Sequence, residues 1–474
     1  MRINETVGLV GIPSLPLAWR DAQELLRRLR GQGVRVPAGW AGGVPDLGDG
    51  WWTGNRTRTS PVVRLRNEQD EMDQQPIWNV YGKILGQEQA ERSILVGNHR
   101  DSWAFGAADP HAGTAVMIEL ARILGGLIAR GWRPLRTIEF MSWDGAAYNL
   151  MGSTEFVEKR VQGLREGAYA YINLDAAVSG TRLQAAGSPA MQRPLERAMN
   201  HVFDARANQT LGELWRSKGG QLKGLGAGGD YAALQHMAGT SSLDLAFVDD
   251  QDNKGVPVAH SSYDRLALVE EVVDPGFTYH VLLAQLVGVL LLDLADRPVV
   301  PFGMTAYADV LKKEVADLDG WLTVRAEGGE KRAGGDGERQ QRDQDKQRRQ
   351  AMRELIDAAE LVGSNAHDFD DWEREWDRTM LMKGGRESLE LSGRRFRFND
   401  KKAAFETALL DLELGGGHVV YGPELWSPRR AAVFPAIRDT VEAGDWAGAR
   451  RAIAKTAAIL RRAGSVLTME DEES

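Results

Sequence analysis

The chain contains no cysteine. Disulfides, thiolate metal sites and a cysteine nucleophile are therefore excluded. It also has no long apolar run. The best stretch, Val281 to Leu292, is interrupted by Gln285 and falls short of the roughly 20 residues that a membrane span needs; it reads as a buried helix. No secretory signal opens the chain, because Met1 is followed by Arg-Ile-Asn-Glu-Thr rather than an apolar segment. An excess of positive charge is missing too. Lys and Arg number 58 against 67 Asp and Glu, a net charge of −9, which argues against nucleic acid as a main partner. Internal repeats are absent, and no G-x-x-x-x-G-K phosphate loop occurs, so Gly224–Gly229 reads as a loop rather than a phosphate cradle.

What is present is an ordinary globular composition, 43% hydrophobic and 26% charged, over 474 residues. That length accommodates two or three domains. Residues 1–70 are rich in Gly, Pro and Trp, with one amphipathic helix expected at Trp19 to Leu29. From 71 to 302 strand-like and helix-like segments alternate. Strands are expected at Trp78–Leu85, Ser93–Val96, Arg136–Met141, Ala168–Leu174 and Leu243–Phe247. Helices are expected at Gly113–Ala129, Tyr148–Val161 and Asp274–Ala295. This alternation predicts an α/β fold with a mixed or largely parallel sheet flanked by helices. From 303 to 474 the strand signals stop and an all-helical domain is expected. Within it Arg325–Arg353 reads as a charged linker or solvated helix, and Glu470–Glu473 as an acidic tail. Asn-x-Thr sequons at Asn4, Asn55 and Asn208 matter only if the chain meets the secretory pathway.

Three of the expected strands end in polar groups. The first runs into Gly97-Asn98-His99-Arg100-Asp101, the second into Ser142-Trp143-Asp144, and the third into Asp175. In an open α/β sheet, ligands bind at the carboxyl ends of the strands, so these residues face one candidate site. His and Asp are good zinc ligands. Asp101 is placed to orient the His99 imidazole, and Asp109, before Pro110, could bridge two metals.

The ordered motifs Gly97–Gly106, Asp109-Pro110, Gly131–Pro134, Ser142–Asp144, Gly152–Glu155, Tyr171–Asp175, Leu225–Asp230 and His260–Asp264 make the chain resemble a known family. That family is the M28 zinc peptidases of the glutamate carboxypeptidase II and transferrin receptor branch. Ile12–Pro16 resembles the end of its apical, protease-associated domain; His418–Pro423 and Phe434-Pro435 resemble its helical dimerisation domain.

The resemblance implies two zinc ions bound by His99 and Asp175, by a bridging Asp109 across a cis bond to Pro110, and by His260. The family places two adjacent glutamates after the Trp-Asp pair, a general base and a zinc ligand. Here those positions are Ala146 and Ala147. The expectation is one zinc or none, little or no peptide hydrolysis, and a homodimer; a non-catalytic scaffold or receptor-like protein is the alternative. Asp144 is a conceivable substitute base. Natural loss and deliberate replacement both produce such an alanine pair.

The segment matching the family's arginine-bearing pocket, Ser241–Phe247, has no basic residue and is followed by Asp249, Asp250 and Asp252. The family's carboxylate-binding Lys-Tyr pair falls near Pro428 and Arg429. A C-terminal glutamate is therefore not expected as substrate, and an aminopeptidase-like preference is at least as well supported. The family's membrane anchor, first peptidase strands and most of its apical domain would precede Ile12, which implies an N-terminally truncated member with an exposed sheet edge.

Overall fold

The computed structural model describes residues 12–44, 46–55, 62–68, 70, 75–249, 256, 258–329, 337–414 and 417–468. Asn4, Asp250, Asp252, the 330–336 part of the charged run and the acidic tail lie outside the described residues. The chain divides into two compact units, Met1–Pro76 and Ile77–Ser474. In the first, α1 (Trp19–Arg28) precedes two short 3-10 turns and an antiparallel bridge between Arg35 and Trp52.

The second unit is built on a mixed six-stranded sheet. Its strands are β1 (Val80–Ile84), β2 (Gln89–His99), β3 (Arg136–Trp143), β4 (Ala168–Asn173), β5 (Arg182–Gly187) and β6 (Ser241–Val248). The spatial order is β1-β3-β2-β4-β6-β5, with β1 and β5 antiparallel edges around a parallel centre. The central strands are buried on both faces, which is why they read as near-continuous apolar runs: Ile94, Leu95, Val96, Ala170, Tyr171 and Ile172 are all inaccessible. β5 instead alternates, with Leu183 and Ala185 in the core and Arg182, Gln184 and Ala186 part-exposed. So short a strand, with part-exposed residues at every second position, carries little strand signal in the sequence.

Helices α2 (His111–Ala129), α3 (Met151–Gly167), α4 (Gln192–His201), α5 (Leu211–Ser217) and α6 (Thr278–Asp296) accompany the sheet. Both α2 and α6 are long and apolar enough to cross a membrane by length and composition alone. In this fold Leu283, Leu286, Val287, Leu290 and Leu291 of α6 are buried in the core. Gly113 in the first turn of α2 permits a close approach: a Cβ there would lie 1.6 Å from the Leu174 carbonyl oxygen. The helix therefore begins directly beside the end of β4.

The C-terminal region is mainly helical: α7 (Met304–Gly329), α8 (Gly337–Met382), α9 (Leu389–Ala408), α10 (Pro435–Glu442) and α11 (Trp446–Val466). The charged run is not a linker from 337 onward. It is the start of the 46-residue α8, because Gln, Arg, Glu and Lys are good helix formers and Leu355, Ala358, Ala359, Val362, Ala366 and Phe369 bury one continuous stripe.

The region is not purely helical. It carries short ladders β7 (Leu410–Asp411) with β8 (Gly417–His418), and a hairpin of β9 (Tyr421–Glu424) with β10 (Ser427–Val433). Buried Glu406 joins this region to the sheet. It accepts hydrogen bonds from Ser188 Oγ and Gln235 Nε2, both at 2.7 Å, and lies 3.0 Å from His418 Nε2. The His418 Nδ1 accepts the Val420 and Tyr421 N–H groups. The imidazole proton therefore sits on Nε2, facing Glu406.

Candidate metal centre

His99 is the last residue of β2, Asp175 follows β4, and Asp109 precedes a cis bond to Pro110 at the start of α2. Their ligand atoms all lie within 4.8 Å of one another. His99 Nε2 is 3.0 Å from Asp175 Oδ1 and 3.7 Å from Asp109 Oδ1. His260, in a left-handed backbone conformation (φ 65°), brings its Nε2 to 3.5 Å from Asp109 Oδ2; its side chain is 54% exposed, against 15% for Asp109. Asp109 thus lies between two imidazoles.

The surrounding residues fix this set. His99 Nδ1 is 3.1 Å from the Asp101 carbonyl oxygen. A carbonyl only accepts, so Nδ1 carries the proton and, in the neutral ring, Nε2 is left with its lone pair toward Asp109 and Asp175. That is the tautomer a metal requires. The Asp101 carboxylate receives the Ala146 and Ala147 N–H groups at 3.1 and 3.0 Å. Asn98 Nδ2 donates to the carbonyls of Pro110 (3.2 Å) and Leu174 (2.8 Å), tying the Asp109 loop to the end of β4. Buried Asp264 accepts the N–H of Ala108 (2.8 Å) and Asp109 (3.1 Å). Asp264 belongs to the His260–Asp264 motif, but its role is not visible in the sequence, because its partners are 155 and 156 positions away.

The charges are strongly coupled. Burial disfavours the His99 imidazolium, but hydrogen bonds to Asp101 and Asp175 outweigh it and push its pKa up to about 11. Burial also opposes ionisation of Asp101; His99 and the two alanine N–H groups prevail and hold it down at about 2. Asp230, only 1% exposed, has one oxygen on Ser153 Oγ at 2.6 Å, and its burial raises its pKa to about 7. An imidazole and two carboxylates whose ligand atoms lie this close together fit a divalent cation with nitrogen and oxygen preference, such as zinc.

Ala146 and Ala147 form a 3-10 turn after β3, between left-handed Gly145 and Asn149. They line the same cavity of about 1030 Å³ as His99, Asp109, Asp175 and His260. Asp144 is not free to replace their missing carboxylates. Its Oδ2 accepts the Trp78 N–H at 2.7 Å and lies 3.4 Å from Arg100, while its Oδ1 accepts the Gly145 N–H at 3.0 Å. The cations missing from Ser241–Phe247 reach the cavity from elsewhere: Lys223 from a loop, and Arg429 and Arg430 from β10. An apolar groove of about 1110 Å³ between α2 and α6 contains none of the four candidate metal ligands.

Comparison with known proteins matches this architecture in two segments. Residues 79–273 match peptidase family M28, and residues 351–468 match the transferrin receptor-like dimerisation domain. The chain thus carries a region similar to peptidase family M28, followed by one similar to the transferrin receptor-like dimerisation domain. Family M28 is zinc-dependent. A probable glutamate carboxypeptidase of Arabidopsis thaliana is 31% identical over 98% of this chain and 63% of its own length. A Mus musculus protein named as an aminopeptidase is 34% identical over 65% of this chain and 44% of its own. A Schizosaccharomyces pombe protein named as an inactive zinc metalloprotease is 28% identical over 96% of this chain and 54% of its own. The chain thus spans less than two thirds of the length of each of these relatives.

Proposed function

We propose that this chain is a peptide-binding member of family M28 that holds a single zinc on His99, Asp109 and Asp175 and hydrolyses peptides very slowly or not at all. The observation that carries the reading is the state of the carboxylates around the cavity. Ala146 and Ala147 have none. Asp101 is engaged by both alanine N–H groups and faces His99. Asp144 is engaged by Arg100 and two backbone N–H groups. Asp244 accepts from Asn173 Nδ2 at 2.8 Å.

A bound zinc would supply Lewis acidity toward a carbonyl or water, but methyl groups stand at Ala146 and Ala147, the positions that line the cavity with the metal ligands and where a base would take the water's proton. Loss of such a base costs roughly 10²–10⁴-fold in rate. With Ala147 in place of a ligand, a second zinc would have only His260 and a shared Asp109, too few for a stable site.

The relative named inactive favours a second reading, a scaffold with no turnover; both readings include a homodimer formed through the C-terminal region. The deciding experiment restores both carboxylates in Ala146→Glu/Ala147→Glu and compares zinc content after dialysis and aminopeptidase turnover with the parent. The expected result is a rise from one zinc to two per chain and a gain in turnover of about 10²-fold or more. A parent that retains two zincs, or turns over peptides at ordinary enzyme rates, overturns the single-zinc reading. No gain in the restored variant favours the scaffold.

A further inference from the structure

The cavity has two charged ends built on one row of the sheet. Asp244 of β6 pairs in parallel register with Asn173 of β4 and in antiparallel register with Ala186 of β5. Ala186 in turn bridges to Lys223 in the following loop. The flanking hydrogen bonds are Lys223 N–H to Ala185 O at 3.1 Å and Lys223 O from Gly187 N–H at 2.7 Å. Residues directly opposite on paired strands present their side chains to the same face. Asp244, Ala186 and Lys223 all line the cavity, as does Gln184, two positions from Ala186 on the same face. Asp244 is the one residue of β6 that is not fully buried.

Two inter-strand steps separate Asp244 from Lys223, so their backbones lie about 10 Å apart. The alanine methyl between them leaves the floor open. The basic end is closed by the β9–β10 hairpin. Ala227 N–H donates to Pro428 O at 2.7 Å, and a Cβ on Gly226 would meet Arg430 O at 2.6 Å. Arg429 and Arg430 are thereby held beside the loop that carries Lys223.

We propose that this cavity selects short zwitterionic peptides of two or three residues, with the free α-amine at Asp244 and the terminal carboxylate at Lys223. The proposal rests on the peptide reading above and adds to it the recognition of both termini. An extended tripeptide spans about 10 Å, matching the row. Asn173 holds the Asp244 carboxylate from beneath, and Gln184 offers an amide to the peptide backbone between the ends. Burial and the neighbouring Arg182 lower the pKa of Lys223; a ligand carboxylate at that position offsets both effects.

The test is calorimetric titration of the full-length chain, zinc-loaded and chelator-stripped, with Ala-Ala-Ala, its N-acetyl form and its C-terminal amide. Each cap is expected to weaken binding about tenfold or more. In Asp244→Asn the N-acetyl penalty should disappear while the amide penalty remains; in Lys223→Gln the reverse should hold. Asp244→Asn keeps the oxygen that accepts from Asn173, and Lys223 is exposed, so matching melting temperatures will show that both variants fold. Caps without effect, variants that weaken all three peptides equally, or no binding by any of them would overturn the proposal. Zinc content is read separately, and the stripped-protein arm needs no metal. Failure here therefore leaves the metal reading standing, and failure of the metal reading leaves this result interpretable.

Discussion

The Asp101 carboxylate accepts the backbone N–H of Ala147 at 3.0 Å, and its other oxygen takes the neighbouring N–H of Ala146 at 3.1 Å. The turn that carries the two alanines is thus held by its backbone, independently of what its side chains are. The same Asp101 presents its carbonyl to His99 Nδ1.

Replacing Asp101 should therefore affect two properties together. In Asp101→Ala the two N–H groups of the turn lose their acceptor, an expected destabilisation of about 1–3 kcal/mol in urea unfolding. The carbonyl contact to His99 survives the substitution, but the carboxylate oxygen 3.5 Å from His99 Nδ1 is lost, and zinc affinity should fall by about tenfold in a chelator competition titration. Unchanged zinc affinity would mean that Asp101 serves the turn alone.

Metal binding should also displace a proton. With a pKa near 11, His99 in the metal-free protein is protonated at pH 7.5. Its raised pKa stabilises the fold fully below its ordinary value of about 6.5, and that contribution is lost as pH rises through about 11. Zinc needs the neutral ring, so its binding at pH 7.5 should release about one proton; an unperturbed histidine would release about a tenth of one. Calorimetry in two buffers of different ionisation enthalpy measures the number.

Asp230 predicts a pH dependence of the opposite kind. The unfolded carboxyl ionises near 3.8, whereas the folded one holds its proton until about pH 7. The native state binds more protons between these values, so stability falls as pH rises from about 4 to 7 and is level above. Asp230→Asn should flatten this profile and gain at most about 3 kcal/mol at pH 8 relative to pH 5. Urea unfolding at both values tests this, and parallel profiles for parent and variant would refute it.

The junction between the sheet and the C-terminal helices depends on a buried ion pair. Lys402 Nζ donates to Glu373 Oε2 at 2.6 Å and to the carbonyls of Val300 and Phe302 at 3.1 Å, while Arg193 grips Glu373 from the other side. Lys402→Met leaves that carboxylate buried with one partner, and a loss of about 3–5 kcal/mol is expected. The double variant Lys402→Met/Glu373→Leu should recover part of it. An equal or larger loss in the double variant would show that packing, not charge, dominates.

Much of the fold was legible where local pattern and burial agree. β2, β3, β4 and β6 are runs of apolar residues buried on both faces, and α2 and α6 are long apolar helices. β5 was hidden because Arg-Leu-Gln-Ala-Ala-Gly has only two core residues to signal a strand. The β9–β10 hairpin was hidden because its exposed, arginine-bearing strand resembles a loop until it is packed against Gly224 and Gly226. The charged run from 337 was ambiguous because its helical stripe emerges only where Leu355 and Val362 find neighbours.

The sequence by itself determined the chemical inventory: two histidines and two aspartates of metal-ligating type, no cysteine, and methyl groups at 146 and 147 that no folding event can turn into carboxylates. Only the tertiary structure decided which groups remain available. It tied Asp144 to Arg100, anchored the Asp109 loop on Asp264, and brought Lys223, Asp244 and the 429–430 arginines around one cavity. Those outcomes depend on contacts between residues tens to hundreds of positions apart. Such contacts form only once the sheet and helices have buried their apolar faces together.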